Sequence, residues 1–206
     1  MKALAYKIRA WLGVVHAKLY VLYLRSMFQR IGEYTIVYPY IHYKFPGKID
    51  ISPECIIRRG VSLNGRTTAS TGIRFGVGVT VRESSYIDAY GGSIQIDDYS
   101  AIGHRCIIGG HGGLSIGKYT LIGGLTYIIP SNHVFSNTQF PYALQGEKRR
   151  GVKIGSNVWI GAGCIILDGV TIGDNCVIGA GSVVSKSIPA NSLAFGVPAA
   201  VHRMLA

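Results

Sequence analysis

Branched apolar residues return at every sixth position over much of this chain, and this spacing constrains the fold more than any other feature. A helix repeats every 3.6 residues and an ordinary strand every 2, so a period of six indicates a short strand and a tight turn, repeated. Three such units close a triangular coil of about 18 residues, and stacked coils can bond to one another as a parallel sheet. The series is unbroken near the C-terminus and interrupted before it: Ile154, Ile160, Ile166, Ile172, Ile178, Val184; Ile96, Ile102, Ile108, Leu114, then after a two-residue slip Ile116, Ile122, Ile128; and weakly Ile51, Ile57, Leu63 and Val81, Ile87.

Composition agrees with a repeated coil and excludes several other classes. The chain has 206 residues, enough for one domain with a substantial core, and 48% of them are hydrophobic, too many for a disordered protein. Its 28 Gly lack the three-residue period of collagen. Many instead follow the repeated apolar residue directly: Gly103, Gly109, Gly117, Gly123, Gly155, Gly161, Gly173 and Gly179.

The four cysteines share one phase of the repeat. Cys55, Cys106, Cys164 and Cys176 each lie four positions after a repeated apolar residue. A disulfide framework or a metal site has no reason to select one inward phase, whereas a small buried side chain fits there. We therefore expect buried free thiols and a reducing, cytoplasmic compartment.

Positive charge is concentrated at the N-terminus. The net charge is +11, and residues 1–32 carry six Lys or Arg and no acidic residue. We predict a basic helical segment over 1–32 that is too interrupted by charge to span a bilayer or to act as a signal peptide. Two interpretations stay open: a helix resting on anionic lipid at the inner face of the membrane, or a helix packed on its own domain or on a partner subunit. No nucleic-acid-binding motif accompanies the charge, so we do not expect nucleic acid as a partner.

One long insertion interrupts the repeats. Ile128 and Ile154 are 26 positions apart, and the segment between them reads PSNHVFSNTQFPYALQGEKRRG near its centre. Long insertions in a regular scaffold often carry function, and this one presents His133. The sequence thus predicts a coil domain over 33–188 with a protruding loop at 129–153, followed by a C-terminal cap segment at 189–206.

The repeats, together with the segment VKIGSNVWIGAGCIILDGVTIGDNCVIGAGSVVSKSIPANSLAFGVPAAVHRM, resemble the hexapeptide-repeat acetyltransferase superfamily and its polysaccharide and sugar O-acetyltransferase branch. The resemblance implies an all-β fold, a left-handed parallel β-helix with an N-terminal helix and a short C-terminal segment. It also implies acetyl-CoA as co-substrate, no metal, and a homotrimer with active sites between subunits. The expected acceptor is a sugar hydroxyl of a polysaccharide or lipid-linked glycan. A free small molecule (xenobiotic, serine or free sugar) is the alternative, and a non-catalytic scaffold is a third.

The resemblance also implies roles for individual residues. His133 matches the general base, and an unperturbed imidazole titrates near pH 6.5, which suits it to accept a proton at neutral pH. His111 stands where sugar-acetylating relatives place an acceptor-binding acid, so it is an acceptor-binding candidate that departs from the pattern. Asn132 and Gln145 are the other acceptor candidates. The implied CoA-binding residues are Trp159, Ala162, Ala180, Ser185, Lys186 and Arg203, with Trp159 either walling the pantetheine arm or contacting another subunit.

The histidines suggest one further possibility, a zinc carbonic anhydrase of the same coil architecture. That family places two metal ligands five positions apart in one stretch. Here the gaps are seven residues from His104 to His111 and twenty-two from His111 to His133, which does not match. We therefore predict no metal site.

Overall fold

The computed structural model describes residues 19–205, which form a left-handed parallel β-helix of about seven triangular coils. The predicted fold class is confirmed. Each coil contributes one short strand to each of three flat sheets, which we call faces 1, 2 and 3 in chain order. The corners between them are corner 1–2, corner 2–3 and corner 3–1.

All strands within a face run parallel, apart from the final hairpin at the C-terminus. Face 1 consists of Arg30–Ile31, Ile49–Ile51, Ile73–Phe75, Ile94–Ile96, Leu114–Ile116, Val152–Ile154 and Thr171–Ile172. Face 2 consists of Ile36–Val37, Ile56–Ile57, Thr80–Val81, Ala101–Ile102, Leu121–Ile122, Trp159–Ile160 and Val177–Ile178. It is extended by Ser192–Gly196, which runs parallel to Val177–Ile178, and by Ala199–Met204, which runs antiparallel to Ser192–Gly196. Face 3 consists of His42–Lys44, Ser62–Asn64, Tyr86–Asp88, Ile107–Gly109, Tyr127–Ile128, Ile165–Ile166 and Val183–Val184. Outside the faces lie a helix at 19–24, two 3-10 turns at Pro46–Lys48 and Tyr142–Leu144, and the strand pair Asn132–His133 and Glu147–Lys148.

The predicted register is the register of the core. Every repeated apolar residue of the series is buried inside the coils. Ile154 pairs with Ile172, 18 residues later, but Ile96 pairs with Ile116, 20 residues later. Leu114 and Ile116 both point inward from one three-residue strand, so the two-residue slip is a longer strand and not a break in the coil.

The cysteines occupy the interior as their shared phase predicts. All four are free and buried. Burial raises the pKa of each thiol, to about 11 for Cys55. These side chains are therefore core residues, confirming the expectation of buried free thiols.

Corner 1–2 is closed by side chains that contact one another along the axis. One residue per coil there adopts the left-handed backbone conformation, which Asn tolerates better than most residues. Asn157 donates a hydrogen bond to Asn175, and Asn175 donates one to Asn191, both at 2.9 Å. Nearer the N-terminal end of the same corner, the rings of Tyr99 and Tyr119 stack with centroids 5.4 Å apart.

The N-terminal end differs in detail from the expected boundaries. The first coil begins at Arg30–Ile31, whereas we expected the coils from residue 33. Helical structure within the described residues covers only 19–24, and the rest of the helix expected over 1–32 lies partly outside the described residues. Val21, Leu24 and Phe28 are buried against the core, so this stretch covers the open end of the first coil. None of the helices described between residues 19 and 205 has the length and apolarity that a membrane crossing requires.

Candidate active site

The loop containing His133 leaves the solenoid at corner 3–1. It departs after Tyr127–Ile128 of face 3 and returns at Val152–Ile154 of face 1. Its base is a two-stranded antiparallel ribbon in which His133 pairs with Glu147. The catalytic candidate therefore lies on a short ordered strand beside the coils.

Asp168 anchors the returning strand of the loop. One oxygen of its carboxylate, Oδ1, accepts hydrogen bonds from the backbone amides of Arg150 and Gly151, both at 2.9 Å. Asp168 follows the face 3 strand of the next coil, so the loop base is tied to the coil above it. From the sequence alone, Asp168 is a turn residue without a role at the site.

Gln145 holds the tip of the loop together. Its Nε2 atom donates to the carbonyl oxygens of Asn137 and Phe140, at 2.6 and 2.9 Å, and its Oε1 accepts from the amide of Asn137 at 3.2 Å. Gln145 is not among the residues that line the cleft beside His133. Its contacts are thus those of a loop-stabilising side chain, although we predicted an acceptor-binding role.

A cleft of about 380 Å³, here called the loop cleft, lies between this loop and the upper coils of corner 3–1. It brings together three of the predicted site residues: Asn132, His133 and Ser185. Both Asn132 and His133 are exposed. Lys148, Arg150 and Asp168 add two cationic groups and one carboxylate to the lining.

His111 lies on the same corner, one coil below the loop, and is not part of the loop cleft lining. Its ring stacks on Tyr90 with centroids 4.1 Å apart, and within residues 19–205 its buried Nδ1 has no hydrogen-bond partner. Burial lowers the pKa of His111, and Arg149 adds to this effect, whereas Glu147 and Asp88 oppose it. His111 is therefore neutral at pH 7 and packs at the base of the loop.

Asp88 supports this packing from the coil below. It accepts hydrogen bonds from Asn64, Tyr86 and the backbone of Tyr90, at 2.7 to 2.8 Å. Burial, followed by this hydrogen bond to Asp88, raises the pKa of Tyr86. The network fixes the loop that carries Tyr90, and hence the surface on which His111 stacks.

A second cleft, of about 420 Å³, lies on corner 2–3 and is here called the corner cleft. Glu83, His104, Arg105, Gly124 and Ala162 are among its lining residues. His104 Nδ1 lies 3.0 Å from Glu83 Oε2. Sequence reasoning missed this pair because its two members lie on successive coils. The signal was present, since Val81 and Ile102 show the same 21-residue offset in the paired strands of face 2.

The remaining predicted residues lie on face 2 or near the C-terminal end. Trp159 points outward from face 2 with 58% of its surface exposed, as its place one residue before a repeated Ile predicted. Ala180 is exposed on corner 2–3, one coil above Ala162. Lys186 and Arg203 are exposed cations, and neither is among the residues lining the two clefts.

Within one chain, Ser185 is the only predicted CoA-binding residue that lines the cleft beside His133. His133 belongs to corner 3–1, whereas Ala162 and Ala180 belong to corner 2–3, with the whole of face 3 between them. Among residues 19–205, His, Cys, Asp and Glu side chains nowhere gather in groups of three or more that would suit a metal ion.

Comparison with known proteins identifies the family. The model described as "Bacterial transferase hexapeptide (six repeats)" matches residues 151–186. Nodulation protein L of Rhizobium meliloti is 40% identical over 127 residues, covering 62% of this chain and 68% of the relative. The chain belongs to the hexapeptide-repeat transferase family. The resemblance stated from the sequence is thereby confirmed, and the protein is an acyltransferase.

Two further proteins show the breadth of the similarity. The putative lipopolysaccharide biosynthesis O-acetyl transferase WbbJ of Escherichia coli is 33% identical over 155 residues, covering 71% of this chain and 74% of that one. Among solved structures, AntD, an N-acyltransferase from Bacillus cereus in complex with dTDP and 3-hydroxybutyryl-CoA, superposes with a TM-score of 0.65. The match covers 88% of this chain and 86% of AntD at 21% identity, and it shows a shared fold.

Proposed function

We propose that this protein transfers the acetyl group of acetyl-CoA to a sugar hydroxyl, in a polysaccharide or lipid-linked glycan, with His133 as general base. The observation that carries the proposal is the loop cleft, where an exposed histidine stands beside Asn132 and Ser185 on an anchored ribbon. The names of the relatives support an O-acetyl product, and one of those names refers to lipopolysaccharide. The acyl-CoA bound to AntD supports a CoA thioester as donor.

The proposed reaction is a direct transfer. His133 removes the proton of the acceptor hydroxyl as its oxygen attacks the thioester carbonyl carbon. Backbone amides stabilise the negative oxygen of the tetrahedral intermediate. The carbon–sulfur bond then breaks and CoA leaves, so no covalent bond to the enzyme forms at any step.

The donor is proposed to lie along corner 2–3. Small side chains at Gly124, Ala162 and Ala180 leave the backbone of this corner open to the amides of a pantetheine arm. Lys186 and Arg203 are exposed near the C-terminal end, where they can pair with phosphates. Trp159 would then form an apolar wall on the adjoining face 2.

The distance between the corners within one chain supports a homotrimer with active sites between subunits. In the proposed assembly, the loop cleft on corner 3–1 of one subunit meets corner 2–3 of its neighbour, and face 3 turns toward the threefold axis. Ile107 and Tyr127 project outward from face 3, each 41% exposed in the single chain, and would be covered there. Association would then complete the active site as well as bury apolar surface.

Replacement of His133 tests the proposed base. We expect His133→Ala to lower kcat about 10²- to 10⁴-fold with an unchanged urea midpoint, because the side chain is exposed and acts on the acceptor proton. Release of CoA thiol is measured with acetyl-CoA and a panel of glycan and small-molecule acceptors. His42→Ala, which alters an exposed histidine on face 3 of the first coil, is the control for loss of a histidine, and light scattering checks that this variant keeps the oligomeric state of the wild type. Full transferase activity in the His133 variant would show that another group is the base, and a preference for small acceptors would contradict the glycan assignment.

Mixed assemblies test the inter-subunit site. His133→Ala removes the base, and Ala180→Trp fills the proposed donor groove on the other corner. Each variant should be inactive alone, and co-assembly should restore part of the activity because some interfaces combine two intact halves. If the mixture stays inactive while light scattering shows mixed trimers, both halves of the site belong to one chain.

The cytoplasm, at the inner face of the membrane, is the proposed location. The basic segment 1–32 supports contact with anionic lipid, as do Leu19, Leu22 and Tyr23, each about 60% exposed. Flotation with anionic vesicles should be lost when the exposed residues Leu19, Leu22 and Tyr23 are replaced by Glu, which leaves the buried residues of this segment in place. Equal flotation of both forms would reject membrane contact through this segment.

A further inference from the structure

The Glu83–His104 pair lies in the corner cleft and has no part in the proposed mechanism so far. Both side chains are about half exposed, at 43% for Glu83 and 56% for His104. An exposed ion pair by itself contributes little to stability. Any chemical role of this pair depends on its position on corner 2–3.

One residue from each coil forms a straight column on corner 2–3. Along this column, the carbonyl of each member below Ala180 accepts a hydrogen bond from a corner amide of the next coil, at 2.8 to 3.0 Å. The lower members are large and polar and the upper members are small, so the column is a groove that ends against an imidazole. From bottom to top its members are Glu83, His104, Gly124, Ala162 and Ala180.

The direction of the donor follows from the order of the side chains along the groove. Because Glu83 and His104 close the lower end of the column, a donor whose phosphates lie above Ala180 runs down the column past Ala180 and Ala162. Gly124 is the last small residue, and His104 is the first side chain that can reach the end of the arm. The thioester of a donor bound in this orientation therefore arrives at His104.

Glu83 gives His104 a defined chemical form. A carboxylate within hydrogen-bond distance holds the proton on Nδ1 and fixes the orientation of the ring, as in carboxylate–histidine pairs generally. The other ring nitrogen, Nε2, then remains for substrate. Arg105 is the other charged residue that lines this cleft.

We propose that His104 is a second catalytic residue, which donates the Nε2 proton of its imidazolium to the sulfur of CoA as the carbon–sulfur bond breaks. This inference rests on the proposed function. The acceptor oxygen bonds to the acetyl carbon and its proton passes to His133, while the electron pair of the broken bond stays on sulfur and takes the proton from His104. His133 ends protonated and His104 neutral, and exchange with water resets both.

The pH dependence of kcat/KM separates the two histidines. A general acid must be protonated, so the rate falls at high pH when the acid loses its proton, and this fall is the alkaline limb of the profile. A general base must be unprotonated, so the rate falls at low pH when the base gains a proton, and this fall is the acidic limb. We expect His104→Ala to lower kcat about 10²- to 10⁴-fold and to flatten the alkaline limb. His133→Ala should flatten the acidic limb instead. Added imidazole should restore part of the activity of His104→Ala.

Glu83→Gln tests the positioning role of the carboxylate. The amide keeps a hydrogen-bond acceptor but loses the charge, so we expect a smaller loss of kcat than in His104→Ala, with the KM for both substrates little changed. His42→Ala should keep the wild-type rate and both limbs. Urea unfolding of each variant confirms that the coils are intact.

The outcomes keep the two hypotheses apart. A His104→Ala enzyme with a rate within about threefold of wild type, or with an unchanged alkaline limb, would overturn the role of His104 and leave His133 untouched. Full activity of His133→Ala would overturn the proposed base. If His104→Ala raised only the KM for the acceptor, with kcat and both limbs unchanged, His104 would be a binding residue and the inference would be wrong.

Discussion

Ile107 and Ile108 are adjacent in one strand of face 3, and replacing each by Ala should have very different consequences. Ile108 points into the coil and is fully buried, whereas Ile107 points outward and is 41% exposed. The two substitutions remove the same three carbon atoms. Any difference in the free energy of unfolding therefore reports which side of the strand faces the core.

The expected magnitude follows from the burial of Ile108. Removing three carbon atoms from a fully buried site loses about 0.8 kcal/mol for each, or about 2.4 kcal/mol. Coils above and below are held at a spacing of about 4.8 Å by backbone hydrogen bonds, so the gap cannot close by collapse. The cavity term then raises the total to about 3–5 kcal/mol. Ile107→Ala leaves no internal cavity and should cost less than about 1.5 kcal/mol.

Urea unfolding followed by circular dichroism measures both values. The slope m should stay constant in both variants, so that the midpoint reports stability alone. Measurements at two protein concentrations separate folding from subunit contact, because only the latter depends on concentration. Equal costs for the two variants at both concentrations would refute the assigned register of face 3.

Two other predictions concern the thiols and the loop base. Burial raises the pKa of all four cysteines, to about 11 for Cys55. A thiol reagent at pH 8 should therefore react slowly with the folded protein and fully with the unfolded one. Rapid labelling of the folded protein would contradict the burial. Asp168→Ala removes the acceptor for two loop amides, so we expect kcat/KM to fall about 10- to 100-fold with only a small change in the urea midpoint, and unchanged kinetics would show that this anchor does not position His133.

The core was predictable because its signal is periodic. Each repeated Ile or Val faces inward whatever the length of the corners, so the hexapeptide spacing identified the buried residues and the buried phase of the cysteines. Strand lengths are not periodic: two three-residue strands lengthen the coil that pairs Ile96 with Ile116, and this pairing appeared in the sequence only as a slip.

The candidate site was less accessible to sequence reasoning. His133 was identified because its loop interrupts the repeat and resembles a known one, and the structure places it with Asn132 and Ser185. Contacts between successive coils depend on how many residues each corner contains. The Glu83–His104 pair and the hydrogen bonds of Asp168 to the loop base are contacts between successive coils. The residues next to these three in the sequence do not indicate their partners.

Because the groove on corner 2–3 is built from stacked coils, its length can change only by the height of a whole coil. Each coil adds about 4.8 Å, and no side-chain substitution alters that increment. Inserting one coil between Ala162 and Ala180 would separate the cations near the C-terminus from His104 by one step, and deleting one would bring them closer. For the proposed donor site, the number of coils therefore sets the distance between the phosphate end of the groove and His104.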